Sequence, residues 1–203
     1  MKMHRVLVVL ATVVILGLSA MSVQAQDMSK ITLFGGYSAL DSGFGTDFYG
    51  RQTLQGYTLQ GTVNLNDHIG LTADFSGHNG SQVEYNCSDC TTIKQLQDIY
   101  FFTFGPTLTQ KVGKVDIFAH FLAGGVHSHV ACSPSSSCED PTTTSFAAIA
   151  GGGVDYNVSR HWGLRLIQMD FAFAHAQRYC PECYSYQYSA NNLRVSAGIT
   201  FHP

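Results

Sequence analysis

Six cysteines stand in three close pairs: Cys87 with Cys90, Cys132 with Cys138, and Cys180 with Cys183. Thiols at these spacings can form disulfides, ligate a metal or run redox exchange. Two Cys-x-x-Cys units could together offer zinc four thiolates. Haem attachment is excluded, because Thr91 and Tyr184 rather than histidine follow the two units. Redox catalysis is disfavoured, since neither unit opens a helix after a strand. An even count in an exported chain favours structural disulfides, each closed within its own segment, although spacing alone leaves the connectivity open.

Two other groups of residues could do chemistry. His127-Ser128-His129 joins a hydroxyl to two imidazoles, but nucleophilic catalysis also needs an orienting acid, and none is evident nearby. With His78 and His175 the same histidines could hold a metal loosely. No catalytic residue, resident metal or cofactor is assigned. The second group is charged: Asp74, Arg165, Asp170 and Arg194 interrupt otherwise apolar, strand-like stretches. Their roles depend on which way those strands face.

The strands are legible from period-two alternation. In residues 192–201, Leu193, Val195, Ala197, Ile199 and Phe201 share one face, and Arg194, Ser196, Gly198 and Thr200 the other. Similar alternation marks residues 31–38, 57–65 and 69–76, the last two joined by the turn pair Asn66-Asp67. Aromatic or apolar content adds strands over 99–108, 115–126, 145–156 and 161–173. In 99–108 both faces are apolar, so orientation stays open. In 161–173 Arg165 and Asp170 fall on opposite parities, which a β-bulge between Arg165 and Gln168 would reconcile.

Between these strands the polar stretches 39–55, 77–97, 127–144 and 176–191 read as long loops, whereas 66–67, 110–114 and 157–160 read as short turns. Long and short connections therefore alternate. In an up-and-down barrel alternate connections share a rim, so all long loops fall on one side and all tight turns on the other. That asymmetry belongs to transmembrane barrels with outer loops and short periplasmic turns. The fold expected is an all-β, eight-stranded antiparallel up-and-down transmembrane β-barrel over residues 26–203.

Composition and address agree with a sheet in lipid. Residues 1–25 read as a cleaved signal peptide, with Lys2 and Arg5, an apolar run and the small-residue pattern Val23-Gln24-Ala25. Past them the chain holds nine Lys and Arg against fourteen Asp and Glu, and no basic cluster, which argues against nucleic acid as a partner. Only 12% of residues are charged, beside 13 Phe, 10 Tyr and 20 Gly, a poor composition for a wetted surface. Tyr156, Trp162 and Phe201 are expected near the short-turn rim, and Tyr37, Tyr57, Phe75 and Phe173 near the long-loop rim, as two interfacial belts. The even-parity charges then face a lumen that eight strands leave only wide enough for side chains. There Asp74, Arg165, Asp170 and Arg194 are expected to pair, because an unpaired buried charge is very costly.

The segments GYTLQGTVNLNDHIGLTADFSG, DIFAHFLAGGVH, FAAIAGGGVDYNVSRHWGLRLIQMDF and LRVSAGITF resemble the small OmpA-like outer-membrane β-barrel proteins. That resemblance spans nearly the whole chain after residue 25, at the level of hairpins. It implies an outer-membrane location, the lipid bilayer as partner, and recognition of a terminal phenylalanine by the barrel assembly machinery. Here His202 and Pro203 follow Phe201, so that signal is shifted by two residues. No peptidoglycan-binding second domain is expected. Outer-membrane lipid A deacylases also place a His and a Ser on such a barrel, but their spacing and following asparagine are not reproduced at His127-Ser128-His129. The function expected is structural or surface-interacting. A narrow passive channel and a soluble, lipocalin-like exported binder are the alternatives.

Overall fold

The computed structural model describes residues 31–43, 52–86, 91–133, 142–178 and 186–203. Eight strands follow in order: β1 (Ile31–Ser42), β2 (Gln52–Asn64), β3 (Ile69–Asn86), β4 (Thr91–Val112), β5 (Val115–Ser133), β6 (Thr142–Asn157), β7 (Trp162–Arg178) and β8 (Tyr186–Phe201). Each pairs antiparallel with the next, and β8 closes on β1 from Leu33↔Phe201 to Asp41↔Leu193. Closure pairs both edges that an open sheet would leave exposed.

The alternation seen in sequence is inverted relative to a soluble protein. On β2 and β3, Leu59 and Leu71 are about half exposed, while Thr58, Gln60, Thr72 and Asp74 between them are buried. On β4 the open orientation resolves: Phe101, Thr103 and Thr107 point inward, and Phe102 and Phe104 point outward. Buried charges inside an exposed apolar wall are what a barrel in lipid requires.

Three tight connections share the rim that carries Phe201. Asn66 Oδ1 accepts from the backbone N–H of both His68 and Ile69 at 2.8 Å, an Asx turn that reverses the chain between β2 and β3. Gly113 supplies φ 63° in the turn between β4 and β5. Ser159 Oγ accepts from Trp162 N–H at 3.1 Å and closes the link between β6 and β7.

At the other rim the structure corrects the sequence reading. Much of the four stretches read as long loops continues as strand ladder. The β3–β4 pairing runs to Asn86↔Thr91, β4–β5 to Lys94↔Ser133, and β7–β8 to Arg178↔Tyr186. The apolar period ends in these stretches without the hydrogen-bonded ladder ending. The described strands therefore extend well past the stretches that alternate.

The register on β7 contains the parity break that Arg165 and Asp170 demand. Arg165 pairs with Gly198 and Gln168 with Ser196, while β6 shifts between Val154 and Asp155. Leu166 and Ile167 are consecutive and both exposed, which leaves Arg165, Gln168 and Asp170 all facing inward.

Candidate functional site

Among the described residues charged and polar side chains converge in the lumen, which is layered. On the outer side of the barrel's middle lies an apolar cluster, with buried Ser42, Gln97, Ser128 and Asn192 still nearer the outer rim. Leu40, Leu54, Ile99, Phe101, Leu122 and Ile149 are fully buried there, with Val126, Ala147, Ala172 and Ala174 in the same cluster. The inward rows thus change from polar to apolar and back to polar along the barrel, a feature absent from the sequence expectation of a lumen lined by charges and their polar neighbours.

Below this cluster sits a charged middle layer. Arg194 spans it from β8, with Nη1 2.9 Å from Asp74 Oδ1 on β3 and Nη2 2.7 Å from Asp170 Oδ2 on β7. Arg194 Nη1 also donates to Ser76 Oγ at 2.7 Å. Asp170 Oδ1 accepts in turn from His120 Nε2 on β5 at 2.9 Å. All four side chains of this Asp–Arg–Asp–His chain are at most 1% exposed.

A second arginine completes the layer. Arg165 Nε donates to Asp155 Oδ1 at 2.7 Å and Nη2 to Asp155 Oδ2 at 2.9 Å, a fork-on-fork pair. Its guanidinium lies between the rings of Phe34 and Phe118, 4.0 and 4.1 Å from their centroids. Gln60 and Gln168 join the two arginine clusters. Each amide oxygen accepts from Arg165 Nη1, and each amide nitrogen donates to a carboxylate, Gln60 to Asp74 at 2.8 Å and Gln168 to Asp170 at 2.7 Å. Every amide thus meets a donor on one side and an acceptor on the other, so the layer leaves its charges satisfied.

Glycine makes room for this arrangement at one position. A Cβ on Gly151 would collide with Asp170 Oδ1, so only glycine on β6 lets the carboxylate reach His120 and Arg194.

At the short-turn rim the lumen opens into a vestibule of about 450 Å³. Its lining reaches inward as far as Gln60, His120 and Arg165 and goes no deeper. Lys111 and Asp67 lie 3.6 Å apart at the mouth. His202, just past the end of β8, lines it too. Burial holds the His202 ring below its ordinary pKa, against the opposing pull of Asp116 and Asp155.

Asp74, Arg165, Asp170 and Arg194 are therefore brought together in one connected layer. Sequence reasoning missed His120, Asp155, Gln60 and Gln168, which complete it. The seven aromatic residues expected at the interfaces lie on the outer wall or its rims, while Phe34, Phe101 and Phe118 are buried inside. The Trp162 and Phe201 rings lie 4.7 Å apart between centroids, tilted by 49°, and Tyr57, Phe75 and Phe102 form a row with spacings of 5.8 and 4.8 Å. Tyr37 and Phe173 are exposed on the same wall. Trp162 and Phe173 are eleven residues apart on β7. At ~3.3 Å per residue and a tilt of ~40° that separation is about 27 Å of height, close to an apolar band of ~25 Å.

The histidine motif does not converge. On β5, Ser128 faces inward and is buried, while His127 and His129 face outward, and His127 Nδ1 meets Thr144 Oγ1 at 2.8 Å. Strand geometry itself separates the serine from both imidazoles. His78 is inside, 2.9 Å from Ser38 Oγ. Among the described residues no group of three or more His, Cys, Asp or Glu is placed to hold a metal. Cys87, Cys90, Cys138, Cys180 and Cys183 lie outside the described residues, as does the leader. Cys132 is described only in its backbone, opposite Gln95 on β4.

Residues 9–201 match the family described as outer membrane protein beta-barrel domain. Among solved structures the chain is similar to Ail, the attachment invasion locus protein of Yersinia pestis, at 17% identity and a TM-score of 0.54. That match covers 85% of this chain and 99% of the other. It is also similar to Neisserial surface protein A, at 11% identity and a TM-score of 0.58, over 86% of this chain and 98% of that one. No curated protein sequence matches. The chain belongs to the outer membrane protein beta-barrel domain family.

Proposed function

We propose, with membership of that barrel family as the premise, that the protein is a non-catalytic barrel of the bacterial outer membrane with a structural or surface-interaction role. One observation carries this reading. Ten buried apolar side chains pack together in the lumen above the charged layer, and the six largest have no exposed surface. A lumen closed on its outer side leaves the outer wall and the outer ends of the strands as the surfaces that meet other molecules. Two fold relatives are named for attachment and for the cell surface, which runs the same way.

The same cluster counts against the narrow channel, since buried apolar side chains lie between the outer rim and the charged layer. A soluble lipocalin-like binder is disfavoured by the outer wall, where Phe104 is 72% and Phe146 62% exposed. Such a surface belongs in lipid.

The rest of the proposal concerns biogenesis. The leader is cleaved after Ala25, the barrel assembly machinery reads the strand ending at Phe201, and each cysteine pair closes a disulfide within its own segment. Fractionation tests the reading directly. The account expects the protein in the outer-membrane fraction with heat-modifiable migration in detergent gels; a soluble, detergent-independent monomer would overturn it. Mass mapping without reductant checks the cysteines, and free thiols with bound zinc would contradict the disulfides.

A further inference from the structure

We infer that the outer wall carries a docking site for an amphiphile with a neutral sugar head, at a shallow cavity where β2, β3 and β4 approach the outer rim. The site gives the surface-interaction reading a partner, and it rests on that reading's premise of a wall in lipid.

Three neighbouring rungs of the sheet set it up. Leu59, Phe75 and Phe102 form the first, Tyr57, Gly77 and Tyr100 the second, and Gln55, Asn79 and Asp98 the third. All face outward, since Thr58, Ser76, His78, Ile99 and Phe101 between them are buried on the lumen side. Rungs two residues apart are about 7 Å apart, so within about 14 Å the wall passes from apolar through aromatic to polar.

The cavity, about 170 Å³, opens at the second and third rungs and has room for a single sugar ring. Gly77 is its floor. A Cβ there would lie 3.0 Å from Tyr57 Oη and 3.1 Å from the Tyr100 ring, so both side chains lean over the glycine. Shielding of a strand glycine accounts for the rings. It does not account for the amides of Gln55 and Asn79, which stand directly opposite each other at the polar edge of the cavity. Both residues are exposed, and no hydrogen bond among the described residues engages either side chain.

This set of groups selects the head. Primary amides and phenols each donate and accept. No Lys or Arg stands on the three rungs and Asp98 adds a carboxylate, so a phosphate head meets no cation and is repelled. An ammonium head would suit Asp98 and the rings but leave the amide N–H groups unused. Hydroxyls accept from those N–H groups and donate to the amide oxygens and to Asp98, the last a charge-assisted bond. The C–H face of a sugar ring then lies on a tyrosine ring. On β5 the rungs continue as His127 and His129, outside the cavity, and His127 Nδ1 is engaged by Thr144 Oγ1. A tail attached to the head falls on Phe75 and Phe102, whose rings lie 4.8 Å apart on the apolar rung.

The test is amide NMR of the full-length protein folded into phospholipid nanodiscs, titrated with octyl glucoside, methyl glucoside, octyl phosphate and octylammonium. Octyl glucoside is expected to shift the Gly77 backbone signal and the Gln55 and Asn79 side-chain signals saturably, and at lower concentration than methyl glucoside. The double variant Gln55→Ala/Asn79→Ala, its folding checked by heat-modifiable migration, should bind about tenfold more weakly at the Gly77 signal. Absence of saturable shifts would overturn the inference, as would an unchanged affinity in the double variant. Tighter binding of octyl phosphate or octylammonium would assign the cavity to a charged head instead, and methyl glucoside binding as tightly as octyl glucoside would assign it to a free sugar; either result overturns the amphiphile. Failure of the wild type to enter nanodiscs would strike the premise of a wall in lipid as well, which separates that failure from the site's own.

Discussion

Arg194 and Asp74, 120 residues apart in sequence, meet in the centre of the barrel at 2.9 Å with both side chains fully buried. The pair ties β8 to β3 across the lumen, and Asp170 extends it to β7. A guanidinium held between two carboxylates is the pivot of the charged layer, and its removal leaves two buried anions facing each other. Arg194→Ala should therefore lower stability by about 3–5 kcal/mol in urea unfolding from lipid vesicles. Adding Asp74→Asn and Asp170→Asn should recover much of that loss. Equal instability of the single and triple variants would show that the charges are not what the arginine satisfies.

Gly151 offers a test of how tightly the layer is packed. Gly151→Ala places a methyl on the carboxylate of Asp170 and should cost about 1–3 kcal/mol. Gly125→Ala meets its nearest heavy atom at an ordinary 3.6 Å and should change little. Unfolding midpoints of the two variants compare directly, and matching midpoints would contradict the packing described.

Phe101 sits in the apolar cluster with no exposed surface. Phe101→Ala should destabilise the folded barrel by about 3–5 kcal/mol, measured by urea unfolding in vesicles. Phe102→Ala, on the adjacent outward position, should cost clearly less, because that ring is 43% exposed on the wall.

His202 gives the fold a pH dependence with a definite sign. Its folded pKa lies below the ordinary value of 6.5, chiefly through burial. The unfolded chain therefore takes up the proton first as pH falls. The stabilisation is present above pH 6.5 and is lost as acidification passes that value toward the lower folded one. The wild type should lose stability across that range, and His202→Gln should show a shallower slope in the same unfolding series.

Much of the barrel is legible in the residues themselves. Inside the bilayer the two faces meet opposite solvents, so period-two alternation is strict in β2, β3 and β8. The break between Arg165 and Gln168 is visible because charges on opposite parities cannot both face lipid. The outer halves of β3 and β4 are not legible, because polar residues stand on both parities there and leave no period to read. The apolar cluster hides for a related reason. Ile99 and Phe101 point inward beside the outward rings of Phe102 and Phe104, so both rows of β4 are apolar, and Leu40 and Leu54 sit in a polar stretch that reads as loop. His120 is masked by the apolar Phe118 and Leu122 in its own row, and Asp155 by the glycine run before it.

The central claim is that the barrel is sealed on its outer side. Planar-bilayer recording of protein whose folding is verified by heat-modifiable migration tests it most directly. The account predicts a silent membrane across the usual voltage range. Reproducible discrete openings of one conductance would contradict it, and would return the charged layer of Arg194, Asp74 and Asp170 to the role of an ion path.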